Sequence, residues 1–158
     1  RVEAIALRKA LAAQEAMRAE GALDEDTLIL ASDTLVTLEG VFLGKPRDEA
    51  DAYAMLSVLQ GRTHTVASGL AICYKGRTAT SHELTGVTFA PMTEAEIEAY
   101  LATGEPFGKA GGYAIQGKAG LYIAGITGDY FNVVGLSVHA FYALLRDNFG
   151  ISPKEFQV

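Results

Sequence analysis

Apolar residues recur at helical spacing from the start of the chain. In VEAIALRKALAAQEAM, Ile5, Leu11 and Ala12 share an inner face, which predicts a helix over about 2–20 with Gly21 as its stop. The unbroken apolar run TLILAS follows, the pattern of a strand covered on both faces, and Asp33 closes it. DTLVTLEGVFLG predicts a hairpin with Glu39-Gly40 at its tip. A second helix is expected over about 48–59 (DEADAYAMLSVL), closed by Gln60-Gly61. THTVASGLAICYKGRTATSHELTGVTF then gives two long strands about a turn at Lys75-Gly76. Thr93-Glu94-Ala95-Glu96 is a capping box opening a helix that ends at Gly104. The glycine-rich GKAGGYAIQGKAG leads into a short strand, LYIAGI. A last helix is expected over about 135–149, with Phe141, Leu144 and Leu145 inward and Gly150 past its end. Hairpins outnumber crossovers, so the pattern predicts an α/β or α+β domain around a mixed sheet, not a doubly wound one.

Composition narrows the class. With 158 residues, 49% hydrophobic and 20% charged, the chain has the length of one domain and can bury a core. No apolar run reaches the roughly 18 residues of a membrane span, since VASGLAICY is broken by Ser68 and Gly69. A net charge of −6 argues against a protein built to hold a nucleic-acid polymer. It leaves room for a small polyanion in a locally basic pocket. The single cysteine, Cys73, cannot form an internal disulfide and reads as a buried thiol in a reducing cytoplasm.

Three stretches carry candidate chemistry. If Glu39-Gly40 is a two-residue turn, Leu38 pairs with Val41, and counting back sets Thr34 opposite Lys45 and Asp33 opposite Pro46. A carboxylate and an ammonium at the open end of one hairpin could be a site or a plain surface ion pair. In GRTHTV, Arg62 and His64 alternate on one strand face, suiting an anion or a charged strand edge. In GEPFGKAGGYAIQGKAG, the glycines permit close backbone approach, Lys109 and Lys118 add positive charge, and Gln116 can both donate and accept. The spacing is not that of a P-loop, and such a segment serves as a turn or a phosphate cradle. His82 and His139 are isolated and read as structural, and no His/Cys spacing suits zinc. In GDYFNVVGL, Asn132 is read as a cap or turn former in preference to a ligand contact, while Tyr113, Tyr130 and Phe131 are read as core in preference to base-stacking groups.

The order of these motifs is itself informative. SDT, then GKP, L-x-G-R-T-H, GKAGGYAIQG and NVVGL resembles the Maf family of nucleotide pyrophosphatases, also known as septum-formation inhibitors. The resemblance covers essentially the whole chain. It implies an α/β fold, a mixed twisted sheet flanked by helices in two lobes and related to the inosine triphosphatase fold. It also implies hydrolysis of a nucleoside triphosphate to monophosphate and diphosphate with a divalent metal (Mg²⁺ or Mn²⁺), in a protein that is often a homodimer. Asp33 matches the family's proton acceptor and is the residue that would touch the metal. Lys45 and Lys9 match phosphate-contacting lysines, and Arg62, His64 and Lys109 join them as candidate substrate contacts. Thr34 and Gln116 match positions of nucleobase choice, with Thr and Gln in the branch resembling dTTP/UTP pyrophosphatases. The 7-methyl-GTP branch has Trp and Glu there, and a nucleotide-binding regulator of cell division without turnover is a further alternative. The single domain is expected to span 1–158 without the family's opening strand and Ser-x-Ser-Pro-Arg-Arg loop, and Ser137 stands where NVVGLP has its proline.

Overall fold

A computed structural model describes residues 1–156. Five helices and five strands follow one another as α1 (Val2–Ala19), β1 (Ile29–Leu38), β2 (Val41–Leu43), α2 (Glu49–Leu59), β3 (Thr63–Tyr74), β4 (Arg77–Phe89), α3 (Glu94–Leu101), β5 (Ile123–Thr127), α4 (Tyr130–Val134) and α5 (Val138–Phe149). The strands form one sheet in the order β2-β1-β3-β4-β5, with β1/β2 and β4/β5 antiparallel. The fold is α/β, as expected.

Two compact units divide the chain. The first comprises Arg1–Asp33, Ser68–Glu83 and the chain from Gly135 onward, and the second comprises Thr34–Ala67 and Leu84–Val134.

In the first unit, one face of β1 and β3 meets α1 and the other meets α5. Ile29, Ala71 and Cys73 pack with Ala6 and Ala10, while Leu70 and Ile72 pack with Ala140, Leu144 and Leu145. The apolar run of β1 is therefore covered on both sides, as its pattern required. The inner face of α1 is Val2, Ala6 and Ala10, not Ile5, Leu11 and Ala12; Leu11 is exposed. The reason is closeness of approach. Gly69 lies against the start of α1, where a Cβ would overlap the carbonyl of Val2, and Ala6 and Ala10 then face Ala71 and Cys73. Cys73 is buried and free, and burial raises its thiol pKa. Helix α5 starts at Ser137, whose hydroxyl accepts the Ala140 N–H, and ends at Gly150 with φ 66°. The serine in place of proline thus serves as the N-cap.

In the second unit, Leu56 and Leu59 of α2, Ile97 and Leu101 of α3, and Val36, Val66, Val87 and Phe89 of the sheet make the core. Asp48 caps α2, and Thr93 with Glu96 forms the full capping box of α3. The β1/β2 register is the expected one: Leu38 opposes Val41, with Glu39 and Gly40 at φ 49° and 81°, the left-handed pair of a two-residue turn.

Four expectations need correction. TLILAS and DTLVTL are one strand of 10 residues, so Asp33 lies inside β1 and does not close it. Nothing between Ser32 and Asp33 breaks an extended chain. The last helix is two helices, α4 and α5, parted at Gly135, whose φ of 138° no helix accommodates. The short strand begins at Ile123, after a 3-10 turn over Lys118–Leu121. Tyr130 and Phe131 are exposed, in edge contact with each other and outside the core, whereas Tyr113 is buried.

Candidate active site

In the first unit the structure joins Lys9 to Asp33. Two turns into α1, the Lys9 ammonium donates to Asp33 Oδ1 at 2.5 Å and to the Ser32 carbonyl at 3.2 Å. The Asp33 side chain is only 16% exposed, so the pair sits at the edge of solvent. The neighbouring Ser32 hydroxyl lies 3.0 Å from the Gly69 carbonyl and 2.7 Å from that of Gly135. These contacts fix β1 beside the Asp33 side chain. Among the described residues, Asp33 Oδ2 has no hydrogen-bond partner, which leaves one oxygen able to accept a proton. Lys9 and Asp33 are 24 residues apart, and no periodicity in the sequence couples them.

The second unit carries Thr34, Lys45, Arg62, His64, Lys109 and Gln116. The β1/β2 ladder ends at Val36 opposite Leu43, so Thr34 and Lys45 are not paired across it. Gly44 instead turns its carbonyl to the Gly111 N–H at 3.0 Å. That bond ties the Gly-Lys-Pro turn to the glycine-rich segment. Gly112 completes the junction, with Pro46 and Met55 in van der Waals range of the Cβ position. Lys45 and Lys109 are exposed, and neither ammonium has a partner among the described residues.

Arg62 and His64 do not act as a pair. Arg62 precedes β3 and forms an ion pair with Glu39 at the hairpin tip. His64 turns inward and is 2% exposed, with Nε2 2.6 Å from the Tyr113 hydroxyl and its ring against Phe89. Burial pushes its imidazole down to about 4 and the Tyr113 phenol up, so both are neutral at physiological pH. Asn132 is buried, and its amide donates to the Val66 carbonyl and to Thr85, a core role beyond capping. His82 is held on the surface by Glu3.

Gln116 stands exposed at the tip of a turn closed by the Gly117 N–H on the Ala114 carbonyl, 3.1 Å. Its amide has no partner among the described residues. Two residues that sequence reasoning passed over, Tyr100 and Glu105, hold that turn. Glu105 takes the Tyr100 hydroxyl at 2.7 Å, the Lys118 N–H at 2.9 Å and the Ala119 N–H at 3.3 Å. Burial works to raise the Glu105 pKa, but these hydrogen bonds and the Lys118 charge outweigh it and hold the carboxyl below its usual range. The G-E-P spelling after a helix end was the available signal.

Among the described residues, no group of three or more His, Cys, Asp or Glu could hold a metal ion, and no helix is long and apolar enough to cross a membrane. A lone carboxylate with one free oxygen fits a magnesium-type ion that arrives on substrate phosphates and takes one or two protein ligands.

Comparison with known proteins settles the relationship. The Maf family model, described as Maf-like protein, matches residues 1–148. A dTTP/UTP pyrophosphatase of Moorella thermoacetica is 53% identical over 138 residues, covering 86% of this chain and 68% of that protein. Enzymes of the same name from Bacillus cytotoxicus and Bacillus cereus are 46% and 47% identical over 137 residues, each covering 87% of this chain and 68% of the relative. On a match of that extent, carried by a fold whose Asp33, Lys45 and Gln116 turn stand as described, the chain belongs to the Maf family.

Proposed function

We propose that this protein is a nucleoside triphosphate pyrophosphatase that hydrolyses dTTP and UTP to the monophosphate and diphosphate. Its relatives' identity of 46–53% and their shared name support the substrate class. The observation that carries the chemistry is the Lys9–Asp33 pair: one carboxylate oxygen is anchored by the ammonium and the other is open.

Water attacks the α-phosphorus while Asp33 Oδ2 takes its proton. The new P–O bond forms as the bond from that phosphorus to the bridging oxygen breaks, and the electron pair leaves with diphosphate. A triphosphate carries about four negative charges, so cations must neutralise it before water approaches. Lys9, Lys45 and Lys109 supply protein charge, and Arg62 adds to it if it exchanges Glu39 for phosphate. The rest would come from a divalent ion, Mg²⁺ or Mn²⁺, which substrate phosphates and the Asp33 carboxylate would hold. Thr34 and Gln116 read the base, Gln116 through an amide that offers both a donor and an acceptor to a pyrimidine edge.

The same reading makes the enzyme cytoplasmic, in keeping with its buried free thiol, and a homodimer that binds neither membrane nor nucleic-acid polymer.

Diphosphate release from dTTP, UTP and 7-methyl-GTP, with Mn²⁺ present, tests the proposal. The Asp33→Asn variant should bind nucleotide yet lose about a hundred-fold or more in kcat, the scale of general-base catalysis. Undiminished turnover by the variant would remove Asp33 from the role. Binding without turnover by the wild type would make the protein a nucleotide-binding regulator.

A further inference from the structure

The Gln116 turn is held by its backbone. The Tyr100 hydroxyl accepts the Ala114 N–H at 3.3 Å and donates to Glu105. Glu105 in turn receives the Lys118 and Ala119 N–H groups. Two side chains from the end of α3 thus grip the loop on either side of residue 116. Gly117 permits this: a Cβ there would overlap the Glu105 carboxylate, so the acid lies directly against the turn. A second anchor, Tyr113 against His64 and Phe89, fixes the chain one residue before Ala114. The Gln116 side chain is turned to solvent and has no partner among the described residues.

We infer that Glu105 is a positioning residue for nucleobase choice: by binding the amides of Lys118 and Ala119 and the Tyr100 hydroxyl, it sets where the Gln116 amide meets the pyrimidine. The inference rests on the reading of Gln116 as a base contact. Glu105 touches no substrate atom. Its effect reaches the base through the turn between Ala114 and Ala119, and the anionic acceptor is what the clamp needs. Three donors converge on two oxygens, and hydrogen bonds to an ionised acceptor are about twice as strong as neutral ones.

The probes are non-hydrolysable α,β-imido analogues of dTTP and 7-methyl-GTP, with affinities measured calorimetrically for wild type, Gln116→Ala, Glu105→Ala and the double variant. Wild type should prefer the dTTP analogue. Each single variant should lose about ten-fold of that preference, the worth of one misplaced hydrogen bond, and the double variant should lose no more than either. Glu105→Gln keeps the shape and one acceptor and should fall between. It also replaces Glu105→Ala as the informative variant if the latter does not fold. A structural role alone would lower thermal stability and leave the preference intact, and that result overturns the inference while Gln116 stands. If Gln116→Ala leaves the preference intact, the base-contact reading fails and takes the inference with it. If wild type shows no preference, the substrate assignment itself has failed.

Discussion

His64 makes the fold's stability depend on pH in a window where few other groups act. Its imidazole is neutral in the core, with Nε2 against the Tyr113 hydroxyl and Nδ1 without a partner. Protonation would put N–H groups on both nitrogens, one facing the phenol and the other facing nothing. Burial accordingly pulls the imidazole from 6.5 to about 4. The unfolded chain, titrating near the ordinary value, binds a proton that the folded chain refuses. Between those two pH values stability therefore falls as pH falls. It is fully present above about 6.5, and the loss is complete near 4. The gap corresponds to about 3 kcal/mol, of which about 2 kcal/mol is gone by pH 5. The carboxylates held below their usual range, Glu3, Glu105, Asp51 and Asp147, lose their contribution lower on the scale, as pH passes below about 4.5. The assay is urea unfolding at intervals from about pH 7.5 to 4.5 for wild type and His64→Gln, whose amide can still meet Tyr113 and does not titrate. The variant should start less stable and lose less, so that the two curves converge toward acid by about 2 kcal/mol at pH 5. Parallel curves would refute the argument, because they would mean that His64 carries no linked proton.

Two further predictions concern the first unit. Gly69→Ala puts a Cβ into the backbone of Val2 and should cost about 2 kcal/mol or more in chemical denaturation, because the contact is with main chain that cannot rotate away. Since that contact seats the helix bearing Lys9, turnover should fall with it. Ser137→Ala removes the N-cap of α5 and should cost about 1 kcal/mol in the same assay with little change in turnover.

Much of the fold was legible because its signals are local. The Glu39-Gly40 turn, the Thr93 capping box and the ends of α2 follow from a few adjacent residues, and each stands as read. Some of what failed depended on partners distant in sequence. The inner face of α1 could not be chosen without knowing that its start meets Gly69 and that Ala6 and Ala10 pack on Ala71 and Cys73. His64 looked like an anion ligand because alternation places it two residues from Arg62. Its burial is decided by Tyr113 and Phe89, far along the chain. The candidate site residues could be named from residue types in order, whereas the Lys9–Asp33 bond and the Glu105 clamp required coordinates. Each of these joins groups that no single helix or strand period brings together.

The Glu105 clamp binds amides, and amides are common to every residue except proline. The side chain at position 116 contributes to none of the bonds that hold its own turn. A mutation there would exchange one recognition group for another while the mounting stays unchanged, provided that residue 117 remains glycine. If residue 116 reads the base as proposed, such a separation would let a lineage move between nucleotides by single steps, each passing through a folded protein. The chemistry proposed for Asp33, in another part of the chain, would then be inherited unaltered through every change of substrate.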